Sequence, residues 1–209
     1  MTFVREPRIH PVAIQDLRPT QIAVGLREVN EKRARWRAQP DDRKADFLGS
    51  HFIPVVLGPG KKPHLTDHHH LARALYDEGV REVAVTVVAD LSGLEPAAFW
   101  FYMENRAWTF LYDAEGERQS YKKLPKHVED MTDDPYRSLA GELRCAGGFS
   151  KDVTPFSEFL WADFLRRRIK RKQAEARPKD ALDEALRLAK SQDAAYLPGW
   201  CGPVAAGDV

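Results

Sequence analysis

Apolar residues follow a strand-like pattern in the first half of this chain and a helical spacing in the last third. Short apolar segments predict strands at residues 12–14 and 52–57. The glycines and prolines of residues 58–63 predict a hairpin that returns through residues 64–66. Residues 83–89 are almost wholly apolar and β-branched, which is typical of a central strand covered on both faces. The first half should therefore form a small sheet.

Helical spacing interrupts these strands. It predicts amphipathic helices over residues 24–36 and 95–103, and a further helix with Asp67 as its N-cap and Gly79 as its C-cap. The ten residues after a break at 39–43 are predicted to form a mobile loop. Residues 108–112 are predicted to form a strand that ends in a turn at 113–116.

Beyond residue 116 the strand signals cease. Prolines at helix starts predict helices that open at Asp134-Pro135 and at Thr154-Pro155, and a last amphipathic helix follows Pro178. We therefore expect an α+β protein in three parts. A unit over residues 8–116 has a small mixed sheet with helices, a helical extension over 117–196 packs on it, and residues 197–209 form an irregular tail.

Net charge adds little to this picture, because the chain has 32 lysines and arginines and 31 aspartates and glutamates. No global field therefore steers the chain to DNA or to an anionic membrane. The basic run at residues 166–172 is interpreted as a solvated helix end, with phosphate contact as the alternative. No segment is apolar enough for a membrane span, and two widely separated cysteines fit a reducing compartment, so we expect a cytoplasmic protein.

Three adjacent histidines, His68, His69 and His70, follow Asp67 at the predicted start of a helix. Backbone N–H groups at a helix N-terminus are unpaired and partly positive, so they bind phosphate or carboxylate. The same dipole should keep His69 and His70 neutral near pH 7 and able to accept or relay a proton. The pattern thus indicates an anion site with acid–base groups. A capped helix with exposed or packed imidazoles is the alternative.

A metal site is a further interpretation of these histidines, with Asp67 and either His64 or His51 completing the ligands. Consecutive helical residues point about 100° apart, so three adjacent imidazoles cannot face one ion. We therefore assign no metal ligand.

Five segments stand out together: L-R-P-T-Q-I-A-V-G at 17–25, I-P-V-V-L-G-P at 53–59, T-D-H-H-H-L-A-R-A-L at 66–75, D-P-Y-R-S-L-A-G at 134–141 and E-F-L-W-A-D-F-L-R at 158–166. Taken together they resemble the ParB-like nuclease family, and the likeness spans most of residues 10–170. The resemblance implies the ParB/sulfiredoxin fold, whose members bind nucleotides or nucleic acid at the turn that matches residues 66–71.

Three branches of that superfamily differ at the turn. Sulfiredoxins carry their reactive cysteine where this chain has His69, which excludes that sulfur chemistry here. ParB proteins read G-E-R-R, with arginines that hold nucleotide phosphates. Free-serine kinases read D-G-H-H-R, so Asp67, His69 and His70 match, whereas His68 replaces a glycine and Leu71 replaces the arginine. Leucine cannot imitate the bidentate contact of a guanidinium with phosphate.

The turn and the resemblance together give the predicted site, in which His70 is a general acid or base and Asp67 orients it. The kinases place a glutamate where this chain has Gln21, so Glu28 is the nearest carboxylate for a base. The catalytic candidates are His70, His69, Asp67 and Glu28. The phosphate- or nucleotide-binding candidates are Thr66, His68, Gln21, Lys61 and Lys62.

Two functions fit these residues. The first is an enzyme of phosphate chemistry, a nuclease or a nucleotide-dependent phosphotransferase, for which a nucleotide with Mg is the candidate cofactor. The alternative is a non-catalytic module that binds a nucleotide or nucleic acid. No segment has the basic recognition helix of a helix-turn-helix, which weakens sequence-specific DNA binding.

Overall fold

The computed structural model describes residues 9–203 and has mixed α+β architecture. Its main sheet has four strands in the order β1-β5-β3-β4, and a second sheet pairs β2 with β6. The strands are β1 Ile9–Ala13, β2 Ala23–Val24, β3 Ile53–Leu57, β4 Pro63–Leu65, β5 Glu82–Asp90 and β6 Thr132–Asp133.

Helices follow the strands and fill the last third of the described chain. Four belong to the sheet-rich part: α1 Leu26–Arg37, α2 Asp41–Ser50, α3 His69–Asp77 and α4 Pro96–Asn105. The other four are α5 Pro135–Cys145, α6 Ser157–Arg166, α7 Arg171–Ala176 and α8 Pro178–Ala189. The predicted α+β class and the helical character of the last third are confirmed.

Within the described chain, the residues fall into two units. The first contains the residues up to Val24, then Val29–Asp113 and Glu117–Thr132. The second contains Gly25–Glu28, Ala114–Gly116 and the residues from Asp133 onward. The domain limits drawn from the sequence stay predictions.

The predicted hairpin is confirmed, because β3 and β4 pair antiparallel with Val55 opposite Leu65. β5 lies between β1 and β3, as its apolar sequence predicts. It pairs antiparallel with β1 and parallel with β3. The expectation that both of its faces are covered is wrong: Val83 and Val85 are buried, whereas Val88 is exposed.

Two predicted elements in the first unit are wrong. The predicted mobile loop after residue 43 is part of α2, which has no buried residue and therefore gives almost no apolar signal. The negative charges of Asp41 and Asp42 in its first turn interact favourably with the helix dipole. Phe47 stacks on His51, with ring centroids 3.7 Å apart. The predicted strand at residues 108–112 forms only isolated bridges, from Phe110 and Tyr112.

Each unit has its own core. In the first unit Val56 from β3 packs with Phe99 and Met103 from α4. In the second unit the core joins helices α5 to α8, with Trp161 and Phe164 among its largest fully buried side chains. Gly25 belongs to this second unit and lies where an added Cβ would come within 2.6 Å of Ser138 Oγ. A side chain at position 25 would therefore displace α5.

Candidate functional site

The segment before β2 runs beside β4 and fixes the approach to the histidine turn. Arg18 N–H donates to Pro63 O at 2.8 Å, and Leu65 N–H donates to Arg18 O at 2.9 Å. Two residues further on, Thr20 Oγ1 donates to Leu65 O at 2.6 Å. Thr20 O in turn accepts from Phe110 N–H at 2.9 Å. These bonds place the backbone of Thr20 directly against the start of α3.

His69 accepts a hydrogen bond from this segment. Its Nε2 lies 3.1 Å from Thr20 N and 3.2 Å from Thr20 Oγ1. The hydroxyl proton already serves Leu65 O, and the backbone N–H can only donate, so Nε2 is the acceptor. The ring proton of neutral His69 is therefore on Nδ1. This buried nitrogen has no hydrogen-bond partner among residues 9–203.

Burial controls the charge of this ring. His69 is 2% exposed, and its desolvation lowers the pKa of the imidazole to about 3, against the smaller opposing effect of the Asp67 carboxylate. His69 is therefore neutral at pH 7 because of burial, and not because of the helix dipole on which the sequence prediction rested. Nε2 already accepts a hydrogen bond from Thr20, so it has no free lone pair that could take up a proton. His69 can therefore act only as a hydrogen-bond donor, through Nδ1–H.

The turn itself begins at Thr66, whose N–H and Oγ1 both donate to Pro54 O, at 3.0 and 3.3 Å. His68 is the N-cap of α3 and adopts the left-handed conformation, with φ +63° and ψ +25°. The prediction that Asp67 is the N-cap residue is therefore wrong. The Asp67 carboxylate accepts the His68 N–H at 2.6 Å instead, which braces the turn one residue earlier.

The side chains on the two sides of the helix start differ in exposure. Asp67 and His68 are exposed, whereas His69 and His70 are buried on the inner side of the first turn. The first N–H groups of any α-helix lack a partner within the helix and carry partial positive charge. Adjacent residues of the turn thus carry the exposed carboxylate of Asp67, the exposed imidazole of His68 and the buried Nδ1–H of His69, at the positive end of the helix dipole.

The other predicted site residues divide into those near this turn and those away from it. Gln21 is buried next to Thr20, and its Oε1 has no hydrogen-bond partner among the described residues. Lys61 and Lys62 are exposed in the β3–β4 turn, at the opposite end of β4 from Thr66. Glu28 belongs to the second unit, where its Oε2 lies 3.4 Å from Arg137 Nη1.

His64, considered above as a metal ligand, packs as a core residue in β4. Its Nδ1 lies 2.9 Å from Lys62 O, and its ring contacts Phe99 and Trp100 at centroid distances of 4.8 and 5.4 Å. Burial lowers the pKa of His64 to about 4. Over residues 9–203, no three His, Cys, Asp or Glu side chains are grouped so that they could hold a metal ion.

Sequence reasoning missed Thr20 and Pro54 as parts of the site. Thr20 gives His69 its hydrogen bond, and Pro54 O holds Thr66. The signal in the sequence was Thr20, directly after Pro19 in the first of the five family-like segments, because a threonine hydroxyl in a turn can bond to neighbouring backbone. The partner carbonyl of Pro54 carries no side-chain signal.

The fold and the turn define a class of protein: a mixed α+β protein whose candidate ligand site is a left-handed turn that opens a helix. The family model described as "Putative ParB-like nuclease" matches residues 10–167. The chain belongs to this family. That description places nucleic acid and its components among the candidate ligands.

The fold also matches a solved structure. The crystal structure of protein Atu1540 from Agrobacterium tumefaciens is similar at a TM-score of 0.91 and 51% sequence identity, over 96% of this chain and 100% of that chain. No curated protein matches this sequence. Within the described range, no helix has the length and apolar character needed to cross a membrane.

Proposed function

We propose that the chain binds a phosphate group of nucleic acid or of a nucleotide at the start of α3 and catalyses phosphate chemistry there, as a nuclease or a nucleotide-dependent enzyme. The observation that carries this proposal is the Nδ1–H of His69, a buried donor with no partner among residues 9–203. Buried donors are normally satisfied, and an unsatisfied one beside a helix N-terminus is suited to an anionic acceptor.

Each group at the turn has a part in this proposal. The N–H groups of the first helical turn and His69 Nδ1–H hold the phosphate oxygens. His70 takes a proton from the attacking water or hydroxyl as its oxygen bonds to phosphorus, and the leaving oxygen takes a proton from solvent as its bond to phosphorus breaks. Asp67 is an exposed carboxylate at this turn, and a Mg²⁺ ion carried by nucleotide phosphates needs only one or two such ligands.

A specific set of observations favours the second candidate, a non-catalytic binding module. The lone pair of His69 is occupied by Thr20, Leu71 stands where the kinases have arginine, and Glu28 is paired with Arg137. Of the three groups on which catalysis would depend, two thus already have partners within the protein, and the third, the arginine, is replaced by leucine. Phosphate binding is common to both candidates, so binding is the first property to test.

Binding is tested with ATP and a single-stranded 20-nucleotide DNA, by titration calorimetry and fluorescence anisotropy. Leu71→Arg adds a guanidinium to the first turn of α3, so it should tighten phosphate binding by about tenfold. Leu160→Arg is the matched control, because it adds the same charge at an exposed site in the second unit and should leave binding unchanged. Equal gains in both variants, or no binding by any of the proteins, would refute the proposal.

Turnover then separates the two candidates. Products of ATP and of the oligonucleotide are analysed for the wild type, for His70→Ala and for His10→Ala, which removes an exposed histidine from the opposite edge strand of the sheet. Turnover lost only in His70→Ala supports the enzyme. Binding without turnover in the wild type supports the binding module.

A further inference from the structure

Helix α4 has one face in the core and an exposed aromatic face on its outer side. Phe99 and Met103 point inward and are fully buried. Phe101 is 72% exposed and Tyr102 is 40% exposed, on the side of the helix that faces solvent. Two large aromatic side chains beside each other on one exposed helix face have no role in the core that the same helix builds.

Partly buried aromatic rings flank this face, and two of them, Trp100 and Trp108, also pack against the core that Phe99 and Met103 enter. On one side Trp100 stacks on Tyr121, with ring centroids 5.7 Å apart and planes 16° apart. On the other side Tyr102 lies 6.0 Å from Trp108, and the Arg106 guanidinium lies 5.1 Å from the Trp108 centroid. We call this surface the aromatic face; it comprises Trp100, Phe101, Tyr102, Trp108 and Tyr121, all in the first unit.

A basic segment borders the aromatic face. Residues 118–126 contain one arginine and three lysines and no aspartate or glutamate, in a chain whose charges otherwise nearly balance. Arg118 pairs with Glu104 of α4, so its charge is partly compensated. Lys122, Lys123 and Lys126 are exposed, and none of them forms an ion pair within the part of the chain that the structure describes. Cations thus lie next to stacked rings.

The aromatic face is also close to the histidine turn. The His64 ring in β4 contacts both Phe99 and Trp100 of α4. His64 precedes Asp67 by three residues, which span at most about 11 Å of extended chain. A polymer with a phosphate at the start of α3 could therefore continue over α4, whereas a single nucleotide would leave most of this face uncovered.

We propose that the aromatic face binds single-stranded nucleic acid, with bases stacked on the rings around Phe101 and backbone phosphates on Lys122 and Lys123. Stacking on exposed aromatic side chains requires unpaired bases, whose faces a duplex hides, and lysines at the border suit a polyanion. This inference rests on the proposed phosphate site, and it selects a single strand as the ligand class.

The test measures the anisotropy of labelled 20-nucleotide single strands and of a 20-base-pair duplex with the full chain. Phe101→Ala should weaken single-strand binding by about 5- to 150-fold, the effect of losing one stacked base. Tyr196→Ala removes a similarly exposed aromatic ring from the second unit and should change nothing. Replacing Lys122 and Lys123 by glutamine should reduce the salt slope of binding by about 1.4, unlike the same change at the exposed Lys172 and Lys179.

The outcomes separate this inference from the proposed function. Single strands that bind better than the duplex, with loss of binding in Phe101→Ala and none in Tyr196→Ala, support it. ATP binding that responds to Leu71→Arg, without oligonucleotide binding or with no effect of Phe101→Ala, overturns the aromatic face and leaves the phosphate site intact. A wild-type dimer that Phe101→Ala dissociates, with single-strand binding unchanged, also overturns it and assigns the face to self-association.

Discussion

The hydrogen bond from Thr20 N–H to His69 Nε2 determines which chemistry His69 can perform. It fixes the neutral tautomer, so the free nitrogen of the ring is a donor. Of the two histidines predicted to relay protons, only His70 keeps that role in the proposed mechanism. Position 71 also affects the chemistry of the site through a single residue. An arginine there would place a permanent positive charge beside a bound phosphate, which Leu71 cannot do.

Stability should fall in acid because of two buried histidines. The folded pKa is about 3 for His69 and about 4 for His64, both below the unfolded value of 6.5. Between pH 6.5 and pH 4 the unfolded chain therefore binds more protons than the folded chain, and the free energy of unfolding decreases as pH falls. Each histidine should lower the free energy of unfolding at pH 5 by about 2 kcal/mol relative to its value at pH 7.

Urea unfolding at pH 7 and pH 5 measures this effect. His69→Gln keeps an acceptor for Thr20 N–H and does not titrate, so its loss of stability between the two pH values should be smaller than the wild-type loss by about 2 kcal/mol. His10→Gln, at an exposed position, should retain the wild-type difference. An undiminished difference in His69→Gln would show that this ring does not titrate as described.

At the scale of elements, the turn before α3 places a histidine in a backbone conformation that favours glycine. His68 adopts φ +63°, a conformation that costs a non-glycine residue about 1–2 kcal/mol. Glycine adopts this conformation without that cost, so the second position of the turn favours glycine.

His68→Gly should stabilise the protein by up to about 1 kcal/mol, because relief of the left-handed strain exceeds the added flexibility of the unfolded chain. The expected rise in Tm is about 2–4 °C, measured by differential scanning calorimetry. His10→Gly is the control: it places glycine within β1, where φ is ordinary, and should lower Tm. A lower Tm for His68→Gly would contradict the strain described for this turn.

Elements with strong local signals could be predicted from the sequence. α5 begins at Pro135 behind the capping carboxylate of Asp134, which accepts the Tyr136 N–H at 2.9 Å, and the glycines and prolines between β3 and β4 marked the hairpin. α2 buries no residue, so its apolar pattern carried no helical period. Residues 108–112 have strand-like composition, but their backbone hydrogen bonds go to single residues of different segments: Phe110 N–H donates to Thr20 O, whereas Leu111 O accepts from the nearby Gln119 N–H.

At the scale of the whole molecule, the candidate site could be predicted only in part. The helix start at the histidines was visible, since Asp67 and the following helical spacing are local features. The partners that define it come from elsewhere in the chain: Thr20 lies 49 residues before His69, and Pro54 holds Thr66 through a backbone carbonyl. Glu28 was chosen by proximity in sequence, and the structure pairs it with Arg137 in the second unit.

The central claim is that the start of α3 holds a phosphate group, and backbone amide NMR tests it most directly. Pyrophosphate is titrated into the ¹⁵N-labelled full chain while the amide signals are followed. We predict saturable shifts centred on His68, His69 and Leu71, with tighter binding in Leu71→Arg and not in Leu160→Arg. Shifts centred elsewhere, or none at millimolar pyrophosphate, would contradict the claim.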